Sequence, residues 1–218
     1  MKIIVTGATG LVGAEVVRQA ILDDDIDQVT CLVRKAGSIQ HPKVKYIVHD
    51  NFLDYSSLMP ILKEQDACIW ALGTSQTQVS KEKYHEITYD YVIAAARAMV
   101  TANSNITFLF VSGGGADSTE TSKRLFARVK GMAENELLRM NIKKLIIARP
   151  GAIRPVHKNK NAPFLYKLIL PLFPAMQMLT PSKVINSARL ALALLFLLKK
   201  NMTKQILENP DLQALVKD

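Results

Sequence analysis

Gly7, Gly10 and Gly13 recur at intervals of three within Lys2-Ile3-Ile4-Val5-Thr6-Gly7-Ala8-Thr9-Gly10-Leu11-Val12-Gly13. They stand between a short apolar run and a helical pattern that begins at Leu11. Residues of this kind at this spacing can hold a phosphate anion against bare backbone. Gly7 permits the tight turn, Gly10 admits the phosphates without a side chain in the way, and Gly13 lets helix and strand pack closely. Thr6, Thr9, Leu11 and Val12 complete the loop, and the helix start adds free N–H groups and a positive dipole end. The expected ligand is the pyrophosphate of a dinucleotide; the plainer reading is an ordinary strand-turn-helix corner. The loop follows a strand and opens a helix, the context that favours the cradle.

A second group of candidates follows the second apolar run, which ends Leu32-Val33-Arg34-Lys35. A carboxylate here would bind the ribose 2′-hydroxyl of NAD. Cations suit the extra 2′-phosphate of NADP(H), which Arg34 can grip with two parallel bonds. NADP(H) is therefore expected over NAD(H), against the plainer reading of a solvated strand end. In His49-Asp50-Asn51-Phe52, Asp50 and Asn51 are placed to meet an adenine amino group, although Asp50 could equally cap the next turn. In Ala71-Leu72-Gly73-Thr74, small residues let a ribose lie against the backbone. His85 falls within a helical pattern and reads as a surface residue. The four histidines and two cysteines show no metal-ligand spacing, so no metal site is expected.

Apolar strands alternating with helical patterns must position these groups, the signature of a parallel sheet covered on both faces. Strands are expected at 2–6, 28–34, 44–49, 67–72, 106–112 and 144–149. Helices are expected at 11–22, 55–63, 81–100, 121–140 and 182–200. Residues 51–55 and 113–119, rich in Gly, Ser, Thr and Asp, read as loops. Right-handed crossovers wind these elements into a doubly wound α/β sheet of strand order 3-2-1-4-5-6. All 218 residues read as one domain, in which 152–218 form a small helical, substrate-side appendage. That part contains a basic loop (His157-Lys158-Asn159-Lys160) and proline-punctuated turns at Pro163, Pro171 and Pro174. Its last helix opens at Ser182, a suitable cap, and is apolar on more than one face. The C-terminal segment covers it or a homodimer shares it.

Apolar residues make up 49% and charged residues 22% of the chain, values that exclude extensive disorder. The net charge of +9 comes from scattered Lys and Arg without a long block, so neither nucleic acid nor membrane is expected as a partner. The longest apolar stretch, 184–198, contains Asn186, Ser187 and Arg189 and is shorter than a membrane span. Cys31 and Cys68 fall in expected buried strands and read as packed thiols. With no charged-then-apolar leader before the first strand, the expected location is cytoplasmic.

Taken together, Thr6 to Gly13, Ala71-Leu72-Gly73-Thr74, Asp90-Tyr91-Val92, Val111-Ser112-Gly113-Gly114-Gly115-Ala116-Asp117, Val129-Lys130-Gly131 with Glu134, and Ala148-Arg149-Pro150-Gly151 resemble the atypical short-chain dehydrogenases/reductases. These are extended-type NAD(P)-binding Rossmann proteins, and the resemblance is closest to their Tat-interacting oxidoreductase-like branch. It implies a serine after the fifth strand that polarises the substrate oxygen. It also implies a Tyr-x-x-x-Lys pair whose tyrosine gives a proton and whose lysine binds the nicotinamide ribose. By position Ser112 matches the serine and Lys130 the lysine, and Pro150-Gly151 matches the segment beside the nicotinamide. The tyrosine position holds Phe126, which has no proton to give. Tyr84, Tyr89 and Tyr91 are alternative phenols, with Tyr84 and Tyr91 a heptad apart. Two functions follow. One is an NADP(H)-dependent oxidoreductase acting on a small carbonyl-type substrate through a non-standard proton donor. The other is a non-enzymatic NADP(H)-binding redox sensor or protein-binding module.

Overall fold

The computed structural model describes residues 1–157 and 173–216. Strands β1 (Lys2–Thr6), β2 (Gln28–Val33), β3 (Val44–Val48), β4 (Ala67–Trp70), β5 (Thr107–Val111) and β6 (Lys144–Arg149) form one parallel sheet in the order 3-2-1-4-5-6. Strands β7 (Ala152–Arg154) and β8 (Val184–Asn186) make a separate parallel ribbon. A seventh strand of the main sheet, β9 (Ile206–Glu208), pairs with β6. The doubly wound Rossmann order expected from the sequence is the observed one, extended by β9.

Alternation along buried strands sends successive side chains to opposite faces. Ile3, Val5 and Leu109 enter a core with Val16, Val17, Leu190 and Leu194, from α1 (Leu11–Ile21) and α7 (Ser187–Lys199). Ile4, Trp70, Phe108 and Phe110 enter the opposite core, against α2 (Met59–Lys63), α4 (Tyr91–Ala102) and α5 (Leu125–Arg139). Both faces are covered, which is why these strands read as nearly continuous apolar runs. The remaining described helices are α3 (Lys81–His85), α6 (Phe173–Leu179) and α8 (Asn209–Ala214).

Three expected helices differ in detail. The helix expected at 81–100 runs from α3 into α4 through a wider turn at Glu86–Asp90, which breaks the heptad register between Tyr84 and Tyr91. The helix expected from Thr121 begins at Leu125. The Asp117 carboxylate accepts bonds from the amides of Thr119, Thr121 and Ser122 and holds that segment as a turn. The helix expected from Ser182 begins at Ser187, because Val184 to Asn186 pair as β8. Asn186 then supplies the cap, its Oδ1 accepting from the Arg189 amide at 2.7 Å. This helix lies on α1, with Leu190, Leu194, Leu195, Leu197 and Leu198 buried within the chain. The residues expected as a basic loop from Lys158, and the turns at Pro163 and Pro171, lie outside the described residues.

Candidate cofactor-binding cleft

The glycine loop takes the geometry its spacing implies. Gly7 has φ +64°, and a β-carbon there would stand 2.9 Å from the Leu72 amide nitrogen and closer still to Ala71. A β-carbon on Gly13 would meet the backbone of Gly7 and Ala8. The two glycines are therefore required by close approach of β1, β4 and α1. Gly10 caps α1 without a side chain, so the first amides of the helix are left for another acceptor. Thr6 serves differently from expectation. It is fully buried, and its Oγ1 accepts bonds from the Ala71 and Leu72 amides at 3.2 and 3.1 Å. It shapes the loop after β4 rather than facing a ligand.

The loop opens into a cleft of about 880 Å³ at the carboxyl ends of β1, β2 and β4. Gly7, Thr9, Gly10, Arg34, Lys35, Asp50, Ala71, Leu72 and Gly73, all singled out in the sequence, line it. Arg34 and Lys35 are exposed and have no ion-pair partner among the described residues. Asp50 is also exposed, and the capping alternative goes to its neighbours. Asn51 Oδ1 accepts from the Leu53 amide at 3.2 Å and Asp54 Oδ1 from the Ser56 amide at 2.9 Å. Leu11 and Val12 form the first turn of α1. Phe52, Thr74 and Gln78 also line the cleft and were not singled out as ligand contacts.

Toward β5 and β6 the site is built differently. Ser112 is buried, and its hydroxyl donates to Glu134, which is itself fully buried and ion-paired with Arg149. Arg149 Nε reaches both Glu134 oxygens at 3.1 and 3.0 Å, while its Nη1 meets Glu208 at 2.9 Å. The serine proton is thus committed to a carboxylate, a departure from the substrate-polarising role that resemblance implied. The position that faces residue 126 is Gly113. A β-carbon there would lie 2.9 Å from the Phe126 ring. Lys130 Nζ donates to the Val111 carbonyl at 3.3 Å and stands 4.9 Å from the centre of the Phe110 ring. Burial pushes its ammonium down to about 8, opposed by the carboxylate of Glu134 one turn on.

The alternative phenols are engaged elsewhere. Tyr84 is buried in the core, Tyr91 donates to Glu86 at 2.6 Å, and the Tyr89 ring packs on His85. Pro150 and Gly151 are fixed by two contacts. Gly114 N–H donates to the Pro150 carbonyl at 2.7 Å, and Gly151 N–H donates to Asn209 Oδ1 at 2.8 Å. Asn209 and Gln76, which caps the Phe126 amide at 3.0 Å, had no sequence signal, since both act through long-range contacts. Cys31 and Cys68 are buried free thiols, with Cys31 pushed up to about 12 by burial. No metal-holding cluster occurs among the described residues, and none of their helices is long and apolar enough to cross a membrane.

A glycine cradle, an uncapped helix start and a roomy cleft at the carboxyl ends of parallel strands define a Rossmann-type nucleotide-binding domain. Residues 7–160 match the family described as NAD(P)H-binding, and the chain belongs to that family. The leucinostatins biosynthesis cluster protein T of Purpureocillium lilacinum is 31% identical over 159 residues, 70% of this chain and 58% of that protein. Protein FMP52, mitochondrial, of Meyerozyma guilliermondii is 27% identical over 154 residues, 70% and 65% of the two chains. The matched stretch therefore spans less than two thirds of either relative. Among solved structures, a UDP-N-acetylglucosamine 4-epimerase from Methanobrevibacter ruminantium superposes with TM-score 0.72 at 16% identity, covering 95% of this chain and 75% of that one. MoeE5 in complex with UDP-glucuronic acid and NAD gives 0.71 at 14%, covering 95% and 76%. The fold is shared with these epimerase and NAD-bound structures.

Proposed function

We propose that this protein is an NADP(H)-dependent oxidoreductase acting on a small carbonyl-type substrate. The observation that carries the reading is the pair of exposed cations Arg34 and Lys35, without an ion-pair partner among the described residues, on the wall of the same cleft as the glycine loop. Their charge suits a 2′-phosphate, and no carboxylate stands at that strand end. Gly10 and the first amides of α1 take the pyrophosphate, Asp50 the adenine, and Pro150-Gly151 with Lys130 the nicotinamide end. When bound, such a coenzyme supplies hydride chemistry. We assign proton delivery to Lys130, one turn beyond Phe126, whose ammonium donates among the described residues only to the Val111 carbonyl at 3.3 Å and so keeps protons to give.

One observation favours a second reading, a coenzyme-binding sensor without turnover. Phe126 fills the phenol position, and Ser112 is held by Glu134. NADPH oxidation with a panel of aldehydes, ketones and quinones separates the two. Turnover by the native chain that Lys130→Met abolishes supports the oxidoreductase; turnover only after Phe126→Tyr supports the sensor. We place the protein in the cytoplasm, on its two buried free thiols. The mitochondrial names of the FMP52 relatives make cell fractionation the check.

A further inference from the structure

We propose that a second site, at the opposite end of the sheet from the coenzyme cleft, binds the phosphate group of a small phosphate monoester. A cavity of about 370 Å³ lies at the amino ends of β5 and β6, lined by Asn105, Thr107, Lys143, Lys144, Lys204 and Gln205. Thr107 is nine-tenths buried, and its hydroxyl meets no hydrogen-bond partner among the described residues. A solvent-reached hydroxyl beside three ammonium groups suits an acceptor that also carries negative charge.

The lysines are only partly satisfied. Lys143 Nζ donates to Asn105 Oδ1 at 2.8 Å, and Lys144 Nζ to the Leu198 carbonyl at 2.8 Å, in the last turn of α7. Each ammonium has three donors, so both keep capacity for an anion. Burial lowers the Lys144 ammonium from its ordinary value, the sign of a cation held without a counter-charge. None of the lining residues is acidic, and Lys204 alone among these lysines is ion-paired, with Asp211. The sequence carries the same bias. Residues 137–207 contain 13 Lys and Arg and no Asp or Glu, whereas acids outnumber bases in the rest of the chain.

Lysine binds phosphate as a point charge, and the neutral Asn105, Thr107 and Gln205 side chains can bond its remaining oxygens. The cavity is far larger than the ~30 Å³ share of one water and falls in the range of about 300–1,000 Å³ usual for small ligands. It therefore has room for a carbon skeleton beyond the phosphate.

The test is a titration of the full chain with glucose 6-phosphate, followed by backbone amide shifts, with glucose and sodium chloride as controls. Saturable shifts are expected at residues 143–146 and 201–205, without movement at Gly7 or Arg34. Lys143→Gln with Lys204→Gln should weaken binding at least about tenfold. Lys143→Gln alone, whose side chain bonds only Asn105, should weaken it in a chain of unchanged melting temperature. Shifts that sodium chloride reproduces, shifts centred on Arg34, or equal affinity in the variants would overturn the proposal.

Discussion

Phe126 closes on Gly113: a β-carbon placed on the glycine would stand 2.9 Å from the ring's ζ-carbon. The two positions that face each other at the end of β5 thus carry a bare backbone and an apolar ring. A phenol at 126 would restore a proton donor next to Lys130. Phe126→Tyr is expected to raise carbonyl reduction by roughly two to four powers of ten. Steady-state NADPH oxidation with an aldehyde reads the change.

A side chain at 113 has to displace that ring. Gly113→Ser is expected to destabilise the fold by about 1–3 kcal/mol, the usual range for overpacking. Urea unfolding measures it, and adding Phe126→Ala should recover most of the loss.

Ser112 behaves as a partner of Glu134. Ser112→Ala removes one donor from a fully buried carboxylate that Arg149 still holds, and is expected to cost ~1–3 kcal/mol of stability. Coenzyme affinity should stay unchanged. Denaturant unfolding and a coenzyme titration on the same variant check both halves.

Lys130 makes stability depend on pH in a direction that follows from its burial. Its folded-state value is lowered to about 8, whereas an unfolded lysine titrates at about 10.4. Between these values the unfolded chain binds more protons than the native one, so this group makes stability rise with pH across that window. Lys130→Met should flatten that rise. Comparing the two proteins by urea unfolding at pH 7.5, 9 and 10 isolates the difference from other lysines and tyrosines.

Much of the fold is legible in the sequence. Parallel strands buried on both faces leave long apolar runs, which is why the six main strands and their order could be read from the chain. That the glycine loop, Arg34, Lys35 and Asp50 share one cleft wall is legible because each follows a strand end. Strands β7, β8 and β9 are not, since three residues carry no periodic signal. The inward bonds of Thr6 and Ser112 are not legible in the sequence because a hydroxyl's partner comes from another element: Ala71 and Leu72 for one, Glu134 for the other. Asn209, which anchors Gly151 from 58 residues away, belongs to the same class of contact.

Calorimetric titration with NADPH and NADH, on the native chain and on Arg34→Ala, tests the coenzyme reading most directly. NADPH should bind at least about tenfold more tightly than NADH, a difference of ~1.4 kcal/mol, and Arg34→Ala should remove most of that preference. Equal affinities that Arg34→Ala leaves unchanged, or no heat with either coenzyme at millimolar concentration, would contradict it.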